Sequence, residues 1–331
     1  MHHAHAIVTT HTTRHLRRTL LGVTVQSPAV RSVTVTIDGD DPSIAGLVAS
    51  CAQELGVPII RATRAHTGVC RSAQARNNGV RALLAALRPA PAGGDALAFF
   101  DGDCAPARDC VAALQSLLGL PRRRRGLAIS RVVYLSQQQT DAFDEAALRA
   151  GRWPAAIEPE ALARLRGARR SAVLASWLRP LRLTKPHKPK LMSGLFAVTL
   201  EAFGRVNGFD EAYAGYGQED DDLGRRLMAS GSGVGVGIGR AMAFHQWHPT
   251  RHAGPWEGSP GIARFRGPWS PRARDGLETP VAQPHVHIDV CMPDGSVARH
   301  LDAPTGPTPT GPTPTGLAAP GPPAALHTAP A

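Results

Sequence analysis

Apolar positions in the first hundred residues switch between two periods. Ala6-Ile7-Val8-Thr9 and Arg31-Ser32-Val33-Thr34-Val35-Thr36-Ile37 are short, β-branched runs that read as strands. Between them, His15 to Gln26 places Leu16, Leu20 and Val23 at spacings of four and three, which predicts a helix. Asp41-Pro42-Ser43 starts the next helix, Ile44, Leu47, Val48, Cys51 and Leu55 form its stripe, and Gly56 stops it. Val57-Pro58-Ile59-Ile60 predicts a third strand. Arg71 to Leu87 predicts a helix with Val80, Leu83, Leu84 and Leu87 inward, and Ala96-Leu97-Ala98-Phe99-Phe100 a fully apolar strand that delivers Asp101. Strands alternating with helices across short connections predict an α/β fold, a mostly parallel sheet flanked by helices. Asp38 and Asp101 then fall at carboxyl ends of strands, where such sheets bind ligands.

The second half is less regular. A helix carrying Val111, Leu114, Leu117 and Leu118 precedes a basic turn at Arg122 to Arg125 and a strand from Leu127 to Leu135. Residues from Thr140 to Lys190 are rich in Arg and Ala and read as partly helical; Gly194 to Val198 reads as a strand and Leu200 to Val206 as a helix. From Pro268 the pattern decays toward a Gly-Pro-Thr-Pro-Thr repeat between Thr305 and Gly316 and a Pro/Ala-rich end, so residues 268–331 are expected to be a largely disordered Pro/Gly-rich tail.

Composition narrows the function. The net charge of +11 across 331 residues favours polyanionic partners: nucleic acid, an anionic membrane surface or phosphorylated substrates. Aromatic residues are only 5% and no basic stripe is interleaved with them, so nucleic acid is not expected. The charge is better suited to peripheral contact with an anionic membrane, through Arg122 to Arg125 and the Arg-rich middle, or simply to a solvated face. Five cysteines, with no Cys-x-x-Cys pair, argue against a disulfide framework or a zinc knuckle and for a reducing compartment. No run near the N-terminus is long enough for a signal-peptide core, and none approaches the roughly 20 apolar residues of a membrane span. A cytoplasmic protein, peripheral at the inner membrane face, is the expectation.

Four segments could carry chemistry. Asp101-Gly102-Asp103 presents two carboxylates just past a buried strand, able to reach one hard divalent cation, Mn²⁺ or Mg²⁺; an ordinary acidic turn is the plain alternative. Gly215-Tyr216-Gly217-Gln218-Glu219-Asp220-Asp221-Asp222-Leu223 sets four consecutive acids at a helix start, where free amides and the dipole ease their repulsion. One of them could be held as a general base, and Asp221 and Asp222 could serve only as caps. Phe244-His245-Gln246-Trp247-His248-Pro249 offers two imidazoles to a metal, and Arg76-Asn77-Asn78-Gly79 opens toward phosphate or base contacts from a helix.

In this order the segments resemble the nucleotide-sugar glycosyltransferases of the GT-A fold, chiefly glycosyltransferase family two, with a C-terminal segment shared with galactosyltransferase family seven. The likeness covers roughly Ala6 to Pro249. Its most specific element is Gly208-Phe209-Asp210-Glu211 followed by Gly217-x-Glu219-Asp220. The resemblance implies residues 1–267 as one GT-A domain, with 1–120 its nucleotide-binding half and 121–267 its acceptor-side half. It places Thr10, Asp38, Arg76, Asn77, Asp101 and Gly194 at the UDP-sugar donor. Asp101, Asp103 and His245 would hold the metal, with His248 competing for the imidazole position. Asp220 would act as base, Glu219 and Tyr216 would bind the acceptor, and Lys185, Lys188 and Lys190 would close over the diphosphate. The implied reaction is inverting transfer of a hexose or N-acetylhexosamine to a glycan, glycolipid or small-molecule hydroxyl. Two departures stand out: Thr9-Thr10-His11-Thr12 replaces the usual Pro-Thr-Tyr-Asn, and Gln218 replaces a common Gly. Competing expectations are a catalytically silent nucleotide-sugar or glycan-binding module on the same fold and a metal-dependent nucleotidyltransferase.

Overall fold

The structure, a computed structural model, describes residues 2–118, 126–154, 156–215, 217–249 and 258–300. β1 (Ala4–Thr10), α1 (Leu16–Thr24), β2 (Ser32–Asp38), α2 (Pro42–Leu55), β3 (Ile59–Arg64), α3 (Ser72–Ala86) and β4 (Ala96–Asp101) succeed one another as the periodicity predicts. The order β3-β2-β1-β4 is parallel throughout. The registers Thr9↔Asp101 and Asp38↔Arg64 bring the carboxyl ends of these strands to one edge. β3 starts after Pro58, which has no N–H for a ladder, and runs on to Arg64. α3 lies close on the sheet because position 79 is glycine: a Cβ there would stand 2.8 Å from Ile7 Cγ2.

The stretch predicted as one strand from Leu127 to Leu135 is two. After β5 (Cys104–Pro106) and α4 (Cys110–Gln115), β6 (Leu127–Ile129) joins the main sheet, while β7 (Val133–Tyr134) leaves it for a second sheet. Between them the Ser130 hydroxyl donates to the Ala241 carbonyl at 2.6 Å and is fully buried. Both pieces are apolar, so periodicity alone shows no break.

α5 (Gln137–Asp141), α6 (Glu145–Arg149) and α7 (Pro159–Leu178) fill the Arg- and Ala-rich middle. They are followed by β8 (Leu195–Thr199), α8 (Leu200–Arg205), α9 (Glu219–Ala229), β9 (Val234–Val236), β10 (Ala243–His245) and α10 (Ile262–Arg266). β8 runs antiparallel between β4 and β6. Phe99 on β4 stacks on Phe196 of β8 at 4.7 Å, with Phe203 and Phe209 edge-on or tilted around them. This aromatic cluster fixes the floor beneath Asp101.

The expected tail is corrected in part. β11 (Val286–Cys291) pairs antiparallel along all of β3, and β12 (Val297–His300) pairs with β11. Among the described residues the main sheet therefore has nine strands, β12-β11-β3-β2-β1-β4-β8-β6-β9. The signal was present as alternation in Val286-His287-Ile288-Asp289-Val290, but Pro and Gly on both sides hid it. The approach to β11 is pinned to α3: Arg81 donates to the carbonyls of Gly276 and Leu277, and Gln74 to that of Val281. Residues 301–331, with the Gly-Pro-Thr repeat, and Arg122 to Arg125 lie outside the described residues. Among the described residues no helix is long and apolar enough to cross a membrane.

Candidate active site

Above the carboxyl edge of the parallel strands, a small sheet of order β5-β10-β7 brings distant segments together. Its registers set His245 opposite Cys104 and beside Tyr134. Because Asp103 immediately precedes Cys104, this pairing carries His245 to the Asp-Gly-Asp turn across more than a hundred residues. His248 Nε2 lies 3.1 Å and His245 Nε2 3.5 Å from Asp103 Oδ2. Tyr134 packs its ring 4.8 Å from that of His245. Gly102 is required by close approach, since a Cβ there would be 2.7 Å from the Thr10 hydroxyl. Thr10 itself donates to the Thr12 carbonyl at 2.7 Å, which fixes the turn after β1.

Asp103, Cys104 and His245 offer donor atoms that all lie within 4.8 Å of one another. The sequence did not single out Cys104. Burial and the neighbouring carboxylates push its thiol well up, so it stays protonated and donates to Asp103 Oδ1 at 3.3 Å rather than offering a thiolate. The residues that fit a cation are then carboxylate and imidazole.

Arg76 links the two sides of the cleft. It is buried, donates to Asp101 Oδ1 at 2.8 Å and reaches Glu219 Oε1 at 3.4 Å. Ser72 donates to the same Glu219 oxygen at 2.8 Å. Arg76, expected at the donor, sets its guanidinium between two carboxylates. Burial pushes the Asp101 carboxyl upward and Arg76 opposes this; Asp101 keeps 35% of its side chain open, so solvent moderates the push. Gly194 backs this carboxylate, with room for no more than a tight Cβ, 3.2 Å from Asp101 Oδ2.

Asp38 accepts from Arg64 at 2.6 Å and from the Arg71 backbone N–H at 3.1 Å, so it enters any donor contact already held in place. Asn77 sits deeper than the other residues expected at the donor. It is fully buried, donates to the Phe209 carbonyl and Glu211 at 2.9 Å each, and accepts from Phe209 N–H at 3.0 Å. Its amide is engaged by the 208–211 turn.

The acid run divides by orientation on α9. Gln218 caps the helix at φ 69°, in the left-handed region that explains why the resembled family has glycine there. The buried Gln218 side chain accepts from Ser259 at 2.6 Å. Asp222 faces inward onto Arg225 and Arg226, at 2.6 and 2.7 Å. Asp221 pairs with Lys190 at 2.9 Å. Asp220 is half-buried and faces the cleft. It accepts from the Asp221 amide at 2.8 Å and the Ser193 amide at 3.3 Å. Burial first, then Glu219 and Asp221, push its carboxyl up to about 7, against the pull of the Asp221 amide and Arg76. A carboxyl so placed exchanges protons near neutrality. Ser193 and Lys190 as partners of these acids were not legible from spacing. Tyr216 lies outside the described residues.

Residues 181–247 match the family model described as the N-terminal domain of galactosyltransferase. No curated protein aligns significantly with the chain. Among solved structures, glucosyl-3-phosphoglycerate synthase from Mycobacterium tuberculosis, in complex with phosphoglyceric acid, is similar at 17% identity and a TM-score of 0.41, covering 76% of this chain and 73% of that one. GalNAc-T7 with UDP, GalNAc and Mn²⁺ gives 15% and 0.47, covering 81% and 46%. The catalytic domain of Drosophila β1,4-galactosyltransferase 7 with xylobiose gives 13% and 0.43, covering 84% of each. At such scores these likenesses add no weight of their own. The matched segment holds Gly194, Glu219, Asp220 and His245.

Proposed function

We propose that the protein is a glycosyltransferase that takes a hexose or N-acetylhexosamine from a UDP-sugar and passes it, with inversion, to a hydroxyl of a glycan, glycolipid or small molecule. The observation that carries the reading is Asp220: a carboxyl titrating near neutrality, inside the galactosyltransferase segment, facing the cleft that Asp101 borders. Asp220 takes the acceptor's hydroxyl proton as that oxygen bonds to the anomeric carbon. The bond from that carbon to the diphosphate breaks, and UDP leaves with its electron pair. Glu219, held by Ser72 and Arg76, receives the acceptor beside the base. Thr10, Asp38, Asp101 and Gly194 border the donor side, on residues 1–120 and the start of β8.

A carboxylate with two imidazoles suits Mn²⁺ better than Mg²⁺, which prefers oxygen ligands alone. Asp103 with His245 or His248 would hold it, Asp101 nearby. Bound there, it supplies positive charge for the departing diphosphate. The test is UDP release from a panel of UDP-sugars with Mn²⁺. Release that stops on chelation and returns with added Mn²⁺ is the expected result. Binding of UDP-sugar without turnover across a broad acceptor panel, or pyrophosphate as product, would overturn the reading.

Arg76 lowers the Asp220 carboxyl, so Arg76→Met should move the acid limb of the pH–rate profile upward while lowering the maximum rate. An acid limb that stays in place would show that Asp220 does not govern the profile.

A further inference from the structure

α7 turns Ala161, Leu165 and Ala172 inward. Its opposite side carries Arg166, Arg170, Leu174 and Trp177 at spacings of four, four and three, flanked by Arg169 and Val173. A solvated helix face would be polar throughout. This one has Leu174 59% and Trp177 66% exposed, and the chain beyond it leaves Leu181 66% and Leu183 68% exposed. Trp177, Leu181 and Leu183 are the three most exposed large hydrophobic residues among those described. The charge of the same stretch is one-sided: from Ala161 to Leu200 there are nine Lys and Arg and no Asp or Glu. Arg164, Arg166, Arg169, Arg170, Arg182 and Lys185 are all exposed.

The geometry points to this face, from Arg166 through Leu183, as a docking surface for an anionic lipid bilayer. A nucleic acid would satisfy the cations but would leave Leu174, Leu181 and Leu183 without a partner. A bilayer satisfies both sets at one depth. Trp and Leu side chains enter the boundary between headgroups and acyl chains, and Arg stems lie along the surface with their guanidinium groups at the phosphates. The attraction to anionic headgroups follows the one-signed charge. The surface is also close to the chemistry along the chain: from Leu183 it is seven residues to Lys190, which pairs with Asp221, and ten to Ser193, whose amide holds Asp220. The docking itself does not depend on the transfer reading.

The experiment is co-sedimentation of the full chain with vesicles of phosphatidylcholine alone and of phosphatidylcholine mixed with phosphatidylglycerol, at low and high salt. Binding is expected with the mixed vesicles, falling as salt screens the charges. The triple variant Arg166→Glu, Arg169→Glu, Arg170→Glu should lose about a hundredfold in partitioning. The triple variant Trp177→Ser, Leu181→Ser, Leu183→Ser should also fall to the level seen with phosphatidylcholine alone. Circular dichroism should match wild type for both, because every altered side chain is exposed. Three results would overturn the proposal: no sedimentation with either vesicle, unchanged binding by the apolar variant, or displacement from vesicles by single-stranded RNA at matched phosphate concentration. The last two would mark a general polyanion site.

Discussion

Asp220→Asn should lower the transfer rate by about 10²- to 10⁴-fold, the usual range for loss of a general base. The rate of the unaltered protein should rise with pH through about 7, as the carboxyl ionises, and level off above. In the variant that limb disappears. A second readout separates this from damage to the fold. The folded-state carboxyl sits above its unfolded value, near 3.9 for aspartate, so the folded chain holds its proton more tightly than the unfolded chain between the two. The stability this contributes is fully present below the unfolded value and is lost as pH rises through about 7. Above 7 the native protein bears a half-buried charge beside Glu219 and Asp221 that the variant lacks. Asp220→Asn should therefore melt higher than wild type at pH 8, with the gap closing toward pH 4. A variant with wild-type turnover would end the assignment of the base. One that is inactive but melts lower throughout would mean that the loss of activity is structural.

Asp222→Ala, two residues on, should instead strongly destabilise the fold. One Asp222 oxygen accepts from Nε and Nη2 of Arg225, the other from Nε of Arg226. Arg226 continues to the carbonyls of Val206 and Gly208, and Arg225 to that of Phe265. Removing the carboxylate leaves two buried guanidinium groups without their counter-charge, which costs about 3–5 kcal/mol. Against a total stability of roughly 5–15 kcal/mol this is a large fraction, and the melting temperature should fall on the order of 10 °C. Thermal melts by circular dichroism measure it. A fall of no more than a degree or two would mean that other groups satisfy the two arginines.

These neighbouring aspartates show what could be read from the sequence and what could not. The acidic helix start was visible, as were the strand leading to Asp101 and the alternation of β and α that puts Asp38 and Asp101 on one edge. Those features depend on local period and on short-range rules. Which acid of the run faces the cleft depends on where α9 meets Lys190, Ser193 and the arginines, and spacing is blind to that. The surroundings of Asn77 were out of reach for the same reason: the 208–211 turn that engages its amide is more than a hundred residues away. His245 was identified without its cause, which is the register His245↔Cys104 across the second sheet. β11 and β12 were lost because strands that join an existing edge need little sequence of their own.

That added edge has a bearing on how the chain behaves in crowded solution. Without β11, the six residues of β3, Ile59 and Ile60 among them, would offer a row of unpaired amides and carbonyls to any passing strand. With the hairpin in place the sheet, among the described residues, is bounded by shorter strands, four residues of β12 on one side and three of β9 on the other. A boundary that short gives a foreign strand few rungs to climb. The segment that looked like trailing sequence thus insulates the sheet from fibril-like growth.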